Sequence, residues 1–171
     1  MKELILGGVR SGKSRLAEQR ALTSGLAVTY VATATAADDE MRARIAEHQR
    51  RRPLSWSLVE EPRALADTLR EHAAPGRCLL VDCLTLWLTN LLGTNDETAF
   101  ASERHALVEL LPQLPGHIVL VSNETGLGVV PLGALSRRFC DEAGRLHQDL
   151  ARICDRVVLT VAGFPVILKQ E

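Results

Sequence analysis

Short apolar runs alternate along the chain with longer segments in which apolar residues recur every three or four positions. The short runs predict strands, and they are Glu3–Leu6, Val28–Ala32, Cys78–Asp82, His117–Ser122 and Val157–Val161. The longer segments predict amphipathic helices, and they are Lys13–Thr23, Asp38–Arg51, Arg63–His72, Glu97–Leu111 and Gly133–Ile153. This alternation is typical of βαβ units on a parallel sheet.

The apolar runs also indicate how the strands are buried. Val119, Leu120 and Val121 follow one another without polar alternation, as in strands covered on both faces. A last run, Val166–Leu168, follows the preceding strand after only Ala162–Pro165, a spacing short enough for a hairpin. We therefore predict an α/β fold with a mostly parallel sheet flanked by helices and a C-terminal antiparallel edge hairpin.

Length and composition narrow the class of protein. A chain of 171 residues, 46% hydrophobic and 24% charged, predicts a single domain over residues 1–171 with one core, and excludes disordered and collagen-like proteins. Lys and Arg number 20 and Asp and Glu 21, so a general nucleic-acid coat or a polybasic membrane binder is not expected. No signal-peptide core or bilayer-spanning stretch is present, and we expect a cytoplasmic location.

The four cysteines form no CxxC pair and lie within apolar runs; they are Cys78, Cys83, Cys140 and Cys154. Neither a structural zinc site nor a disulfide framework is expected from this spacing. We interpret all four as buried, reduced thiols.

The most specific chemical signal is a glycine-rich loop between the first strand and the first helix. Its residues, Gly7, Gly8, Val9, Arg10, Ser11, Gly12, Lys13 and Ser14, fit the pattern GxxxxGK[ST] in the context expected of a phosphate-binding loop. The glycines let backbone N–H groups surround an anion, Lys13 reaches the outer phosphates, and the Ser14 hydroxyl can bind Mg²⁺. The alternative is a tight glycine turn. The motif specifies the fold class as the P-loop NTPase, RecA-like type.

A P-loop needs a carboxylate at the end of another strand to orient the metal and its water, and Asp82 ends such a strand. A second role for Asp82 is to cap a helix over Leu84–Leu92, and the two roles are compatible. A GTPase switch is not expected, because the only segment comparable to its guanine-reading motif, Ser122–Thr125, lacks that motif.

The near-zero net charge is an average over an uneven distribution. Between Arg42 and Arg52 there are five arginines and one glutamate, a local charge of +4. On a helix, Arg44, His48 and Arg51 or Arg52 share one face, which suits a polyphosphate. The alternative is a solvated basic helix with an incidental histidine.

Several blocks of residues together carry a family resemblance over essentially the whole chain. They are Gly7–Ser14, Tyr30–Ala34, Arg44–Pro53 with Trp56 and Glu60, Leu80–Thr85 with Thr89–Leu92, Val121–Pro131, and Arg138–Gly144 with Gln148 and Ala162–Gly163. They resemble the bifunctional adenosylcobinamide kinase/adenosylcobinamide-phosphate guanylyltransferase family of cobalamin biosynthesis.

The resemblance implies two reactions. In the first, a nucleoside triphosphate phosphorylates the aminopropanol hydroxyl of adenosylcobinamide. In the second, GMP passes from GTP to that phosphate through a guanylylated histidine, giving adenosylcobinamide-GDP and pyrophosphate. His48 occupies the position of the nucleophile. The resemblance also implies ATP and GTP as substrates, Mg²⁺ as a cofactor and a homotrimer, with no nucleic-acid partner and no stable membrane insertion.

The resemblance further implies which residues contact nucleotide. Beyond the loop Gly7–Ser14 they are Ala32, Thr33, Ala34, Gln49, Arg50, Arg51, Arg52, Glu60 and Asp82. Lys13 acts in catalysis, and Ser14 and Asp82 bind Mg²⁺. For Glu60 the alternative is an acid at the start of a helix before Pro62.

Two further positions, Trp56 and His147, are not assigned a chemical role. Trp56 is interpreted as core rather than as a platform for base stacking. His147 departs from the family pattern, which has Asn before Gln148. Two other functions stay open at this point. One is a single-activity P-loop small-molecule kinase, which needs no covalent histidine, and the other is a nucleotide-binding switch without turnover.

Overall fold

A seven-stranded sheet forms the centre of the computed structural model, which describes residues 1–35, 39, 42, 50, 52–94 and 96–170. The strands are β1 (Lys2–Gly7), β2 (Ala27–Ala32), β3 (Ser57–Glu60), β4 (Arg77–Asp82), β5 (His117–Asn123), β6 (Arg156–Val161) and β7 (Phe164–Gln170). Their order across the sheet is β3-β2-β4-β5-β1-β6-β7. Every neighbouring pair is parallel except β6 and β7, which confirms the predicted mostly parallel sheet with an antiparallel edge hairpin.

The helices lie close to the predicted bounds. They are α1 (Lys13–Thr23), α2 (Leu65–His72), α3 (Leu84–Leu92), α4 (Glu97–Leu110) and α5 (Ala134–Ile153), and a 3₁₀ turn over Leu111–Gln113 follows α4. The predicted helix Asp38–Arg51 falls mostly outside the described residues. Among those that are described, no helix is long and apolar enough to cross a membrane.

The core lies on both faces of the sheet, in one cluster of buried residues on each face. Leu4 and Leu6 of β1 pack on one face with Trp87, which is fully buried, whereas Ile5 packs on the other face with Tyr30. The alternation follows from the two-residue period of a strand. Helices on both sides therefore bury the sheet, as the apolar strand runs predict.

The hairpin joining β6 and β7 is tighter than the predicted four-residue connection. Ala162 and Gly163 form its turn with φ of 51° and 86°, both in the left-handed region. Two consecutive positive φ values are typical of a two-residue turn of type I′, which matches the right-handed twist of the strands. Strand β7 consequently begins at Phe164, earlier than the predicted Val166.

Strand β3 is absent from the sequence prediction. It has only four residues, it forms one edge of the sheet, and Ser57, Leu58 and Glu60 are exposed. A short exposed edge strand lacks the continuous apolar run by which the other strands are recognised.

The cysteines are free thiols, as predicted, but not all are buried. Cys78, Cys83 and Cys154 are buried, whereas Cys140 on α5 is only half-buried, so that part of the prediction is wrong. Burial raises the pKa of Cys78 and Cys83 to about 11 and that of Cys154 to about 12. Cys140 lies near the N-terminal end of α5, where residues 134–137 are exposed, so the helix is not yet covered at this position.

Candidate functional site

The carboxyl ends of the parallel strands bring the described site residues to one edge of the sheet. In register, Ala32 is level with Glu60 on one side and with Asp82 on the other, and Gly7 is level with Asn123. In open α/β sheets ligands bind outside this edge. The predicted phosphate loop and the predicted acidic positions therefore face the same region.

The loop from Gly7 to Ser14 has the backbone of an anion-binding turn. Gly12 has a φ of 94° and Arg10 a φ of 56°, and the backbone N–H of Ser11 donates to the Gly8 carbonyl at 3.2 Å. The Gly163 N–H donates to the Ser11 carbonyl at 2.8 Å, so the β6–β7 turn supports the loop from outside. Successive turns of this kind point N–H groups at a phosphate.

Close packing explains the first glycine of the loop. A Cβ on Gly7 would lie 2.4 Å from Ser11 Oγ and 2.7 Å from the Thr160 carbonyl oxygen of β6. A Cβ on Gly8, in contrast, would meet nothing within 4 Å. The tight approach of the loop to β6 therefore depends on Gly7.

Lys13 opens α1 directly after this loop, where the helix dipole also favours anions. Its Nζ donates to the Gly8 carbonyl at 3.2 Å. Burial lowers the pKa of Lys13, and the nearby Asp82 carboxylate partly opposes this effect. The Asp82 carboxylate at the end of β4 therefore acts on the charge of the phosphate-loop lysine.

Asp82, at the end of β4, is held by a residue that the sequence reasoning assigned no role. The hydroxyl of Tyr30 on β2 donates to Asp82 Oδ2 at 3.1 Å, and Tyr30 is only 4% exposed. Burial, and next the Asp82 charge, raise the pKa of Tyr30. The Arg52 guanidinium carbon lies 4.1 Å from the centre of the Tyr30 ring. Tyr30 is the only tyrosine of the chain, and a phenol within an otherwise apolar strand was the available signal.

Asp82 is not the N-cap residue of the following helix. Helix α3 begins at Leu84, its N-cap position is Cys83, and the Cys83 side chain makes no capping hydrogen bond. The Thr33 hydroxyl instead bridges to Cys83, donating to its carbonyl at 2.7 Å and accepting from its N–H at 3.0 Å. This buried contact joins the end of β2 to the residue after Asp82. Ala34, the next predicted nucleotide contact, is half-buried.

Glu60 ends β3 and is exposed. The role of helix-start acid belongs to its neighbour, because Glu61 Oε1 accepts from the backbone N–H groups of Arg63 and Ala64 at 2.7 and 2.8 Å. Trp56 is half-buried and packs against the core cluster around Ile5, as the core interpretation expects.

The described residues do not include His48, Gln49 or Arg51, so the predicted nucleophile lies outside them. Arg50 is described and exposed. Arg52 is half-buried against the Tyr30 ring. This contact places one arginine of the basic segment beside the end of β4 that carries Asp82.

A buried polar network lies behind the end of β5, and the sequence reasoning missed it. His147 Nε2 lies 2.8 Å from Ser122 Oγ, and Nδ1 lies 3.7 Å from Glu124 Oε2. Thr85 Oγ1 lies 3.3 Å from Ser122 Oγ and accepts from the Asn123 N–H at 2.7 Å. Burial lowers the pKa of His147, and the Glu124 carboxylate opposes that shift. The network ties α3 and α5 to the strand beside the P-loop.

The donor set at this edge suits Mg²⁺. Ser14 offers a hydroxyl and Asp82 a carboxylate, the oxygen ligands that this ion prefers. Among the described residues no group of three His, Cys, Asp or Glu side chains could hold a metal. Mg²⁺ fits such a site because it retains waters and binds substrate phosphates, so one or two protein ligands suffice.

Comparison with known proteins places the chain in a family. Residues 3–168 match the family described as cobinamide kinase/cobinamide phosphate guanyltransferase. The chain is 66% identical over its full length to the bifunctional adenosylcobalamin biosynthesis protein CobP of Pseudomonas aeruginosa, of which it covers 99%. It is 40% identical, over 99% of its length, to the bifunctional adenosylcobalamin biosynthesis protein CobU of Salmonella typhimurium, of which it covers 100%.

Solved structures agree with the fold. The RadB recombinase matches 92% of this chain and 73% of its own with a TM-score of 0.54 at 17% sequence identity. The P4 protein of bacteriophage phi6, in complex with ADP, matches 96% of this chain and 53% of its own with a TM-score of 0.50 at 12% identity. At these identities the likeness shows the P-loop fold alone.

Proposed function

The chain belongs to the cobinamide kinase/cobinamide phosphate guanyltransferase family, and from that premise we propose that it uses a guanylylated His48 in the second of its two reactions. It is a bifunctional enzyme of cobalamin biosynthesis. The observation that carries the assignment to a site is the shared carboxyl-terminal side of the parallel strands, where Asp82 and Glu60 are both level with Ala32 and the P-loop begins at Gly7, two residues beyond their level.

In the kinase reaction, the P-loop backbone and Lys13 hold the outer phosphates of the nucleoside triphosphate. The aminopropanol oxygen forms a bond to the γ-phosphorus, and the bond from that phosphorus to the β-phosphate oxygen breaks. Lys13 stabilises the charge on the transferring group. When bound, Mg²⁺ neutralises phosphate charge, and Ser14 and Asp82 are the residues that hold it.

In the guanylyl transfer, an imidazole nitrogen of His48 attacks the α-phosphorus of GTP and pyrophosphate leaves. An oxygen of adenosylcobinamide phosphate then displaces the histidine, and adenosylcobinamide-GDP forms. Two easier displacements replace one difficult one. Ala32, Thr33, Ala34, Gln49, Arg50, Arg51, Arg52 and Glu60 are the proposed additional GTP contacts, among which the arginines offset phosphate charge.

The covalent step is tested with GTP labelled at the α-phosphate. After incubation with Mg²⁺ and denaturation, we expect label on the protein that acid releases and base does not. His48→Ala removes it, whereas the matched control His105→Ala, at an exposed position on α4, keeps it. Label that survives His48→Ala, or absence of label on the wild type, contradicts the covalent mechanism. Kinase activity without label supports the single-activity kinase instead.

A homotrimer is the proposed assembly, with adenosylcobinamide docking in an open cleft or between subunits. Large apolar side chains are exposed in the segment after β5 and in the first turn of α5, at Leu127, Val129, Val130, Leu132 and Leu135. Exposed patches of this kind mark interaction surfaces.

Light scattering after gel filtration tests the assembly. We expect the mass of three chains for the wild type and a smaller mass for Leu132→Asp. Leu54→Asp is the matched control, because Leu54 is also fully exposed but lies outside this patch. A wild-type mass other than three chains contradicts the trimer, and an unchanged Leu132→Asp contradicts the role of the patch.

A further inference from the structure

One side-chain amide on α3 holds two separate segments of the candidate site. Asn90 Nδ2 donates to the Thr33 carbonyl at 2.8 Å and to the Pro62 carbonyl at 3.1 Å. Asn90 Oδ1 accepts from the Thr35 hydroxyl at 3.4 Å. All the hydrogen-bonding groups of a neutral amide, two donors and an acceptor, are thus directed at other segments.

These two segments are the continuations of neighbouring strands. Thr33 and Thr35 follow β2, and Pro62 follows β3. The strands are also linked at this level, because the Glu61 N–H donates to the Ala32 carbonyl at 2.9 Å. Asn90 therefore links the residues that follow β2 to those that follow β3, just beyond the last paired residues of these two strands.

The same face of α3 makes a second bond to this region. One turn before Asn90, Trp87 Nε1 donates to the Arg63 carbonyl at 2.7 Å, and Trp87 is fully buried. Trp87 anchors only the segment after β3, whereas Asn90 alone, among the described residues of α3, joins that segment to the one after β2. The amide is thus the contact that sets the two segments relative to each other.

Both segments carry proposed GTP contacts, Ala32–Ala34 on one and Glu60 on the other, and the chain runs from Thr35 into the segment that contains His48. We propose that Asn90 is a positioning residue for guanylyl transfer, which holds these two segments in the relative arrangement that GTP requires. The inference rests on the proposed function. Asp has the shape of Asn but no N–H donors, so a carboxylate at position 90 would face two carbonyl oxygens.

The test measures covalent guanylylation of the full chain against GTP concentration. For Asn90→Asp and Asn90→Ala we expect the half-saturating GTP concentration to rise about tenfold or more, because both donated hydrogen bonds are lost. Thr94→Ala is the matched control, because the Thr94 hydroxyl, two residues beyond the end of the same helix, donates to the Leu91 carbonyl. It should keep the wild-type GTP dependence.

Hydrogen exchange supplies a readout that does not require activity. The Thr33 N–H donates to the Asp82 carbonyl at the end of β4, and the Glu61 N–H donates to the Ala32 carbonyl at the end of β2. They should exchange faster in Asn90→Ala than in Thr94→Ala at equal global stability. Both variants are measured because the Asn90→Asp carboxylate could prevent folding. Asn90→Ala introduces no uncompensated charge and therefore keeps the test informative.

The outcomes separate the two hypotheses. A wild type without label contradicts the proposed function itself. A labelled wild type with unchanged half-saturation in both Asn90 variants contradicts the role of Asn90. A lower amplitude of label at an unchanged half-saturation means only that less protein is folded, and it also overturns the positioning role.

Discussion

Substituting the first glycine of the phosphate loop tests whether the loop depends on close approach to β6. In Gly7→Ala the added methyl would lie 2.4 Å from Ser11 Oγ and 2.7 Å from the Thr160 carbonyl oxygen. The Ser11 side chain can turn away, but a backbone oxygen in a paired strand cannot. The loop or β6 must therefore shift. Gly8→Ala is the matched control, because its methyl would meet nothing within 4 Å.

Overpacking of this kind costs about 1–3 kcal/mol. Both substitutions restrict the unfolded chain equally, so the difference between them isolates the contact in the folded state. For a protein of this size, about 2 kcal/mol lowers Tm by about 4–8 °C. Thermal unfolding followed by circular dichroism measures the difference. Equal Tm values for the two variants would refute the packing argument for Gly7.

Three further predictions concern groups around the site. Tyr30→Phe removes a hydrogen bond to a carboxylate, and we expect a loss of about 1.5 kcal/mol in urea unfolding; an unchanged midpoint would contradict a stabilising role. Burial lowers the pKa of His147, so the unfolded chain binds its proton more readily and stability falls as pH drops below about 6.5. His147→Asn should flatten this fall, by at most about 1.4 kcal/mol per pH unit, and parallel profiles would contradict it. Cys140, the one cysteine that is not buried, should react with a thiol reagent in the native protein, and Cys140→Ser should abolish this reaction.

The regular elements were predictable where one local signal was strong. Val119, Leu120 and Val121 form an unbroken apolar run that fits a strand buried on both faces, and β5 lies between two other strands. The P-loop was predictable because all the residues that bind phosphate, the glycines, the lysine and the serine, lie at fixed spacing within eight consecutive positions. Strand β3 carried no comparable signal, since its pairing with β2 stabilises it more than its own pattern does.

Contacts between distant residues were not predictable. Asn90 meets Thr33 across 57 positions of the chain, and Tyr30 meets Asp82 across 52. Each is an ordinary polar residue within an apolar segment, and its partner depends on the order of strands. Local sequence patterns show that a residue is polar and that its segment is buried. They do not show which distant group forms a hydrogen bond with that residue.

The order of strands itself decides what the site contains. The P-loop strand β1 and the Asp82 strand β4 are not neighbours, because β5 lies between them. A nucleotide whose phosphates contact Lys13 and whose Mg²⁺ is held by Asp82 would therefore cross the end of β5, where Asn123 is level with Gly7. Thr85 holds the Asn123 backbone N–H at 2.7 Å, and the His147 network supports the adjoining Ser122. The polar network behind β5 therefore adjoins the strand end that lies between the P-loop strand and the Asp82 strand, although no motif in the sequence connects it to the P-loop.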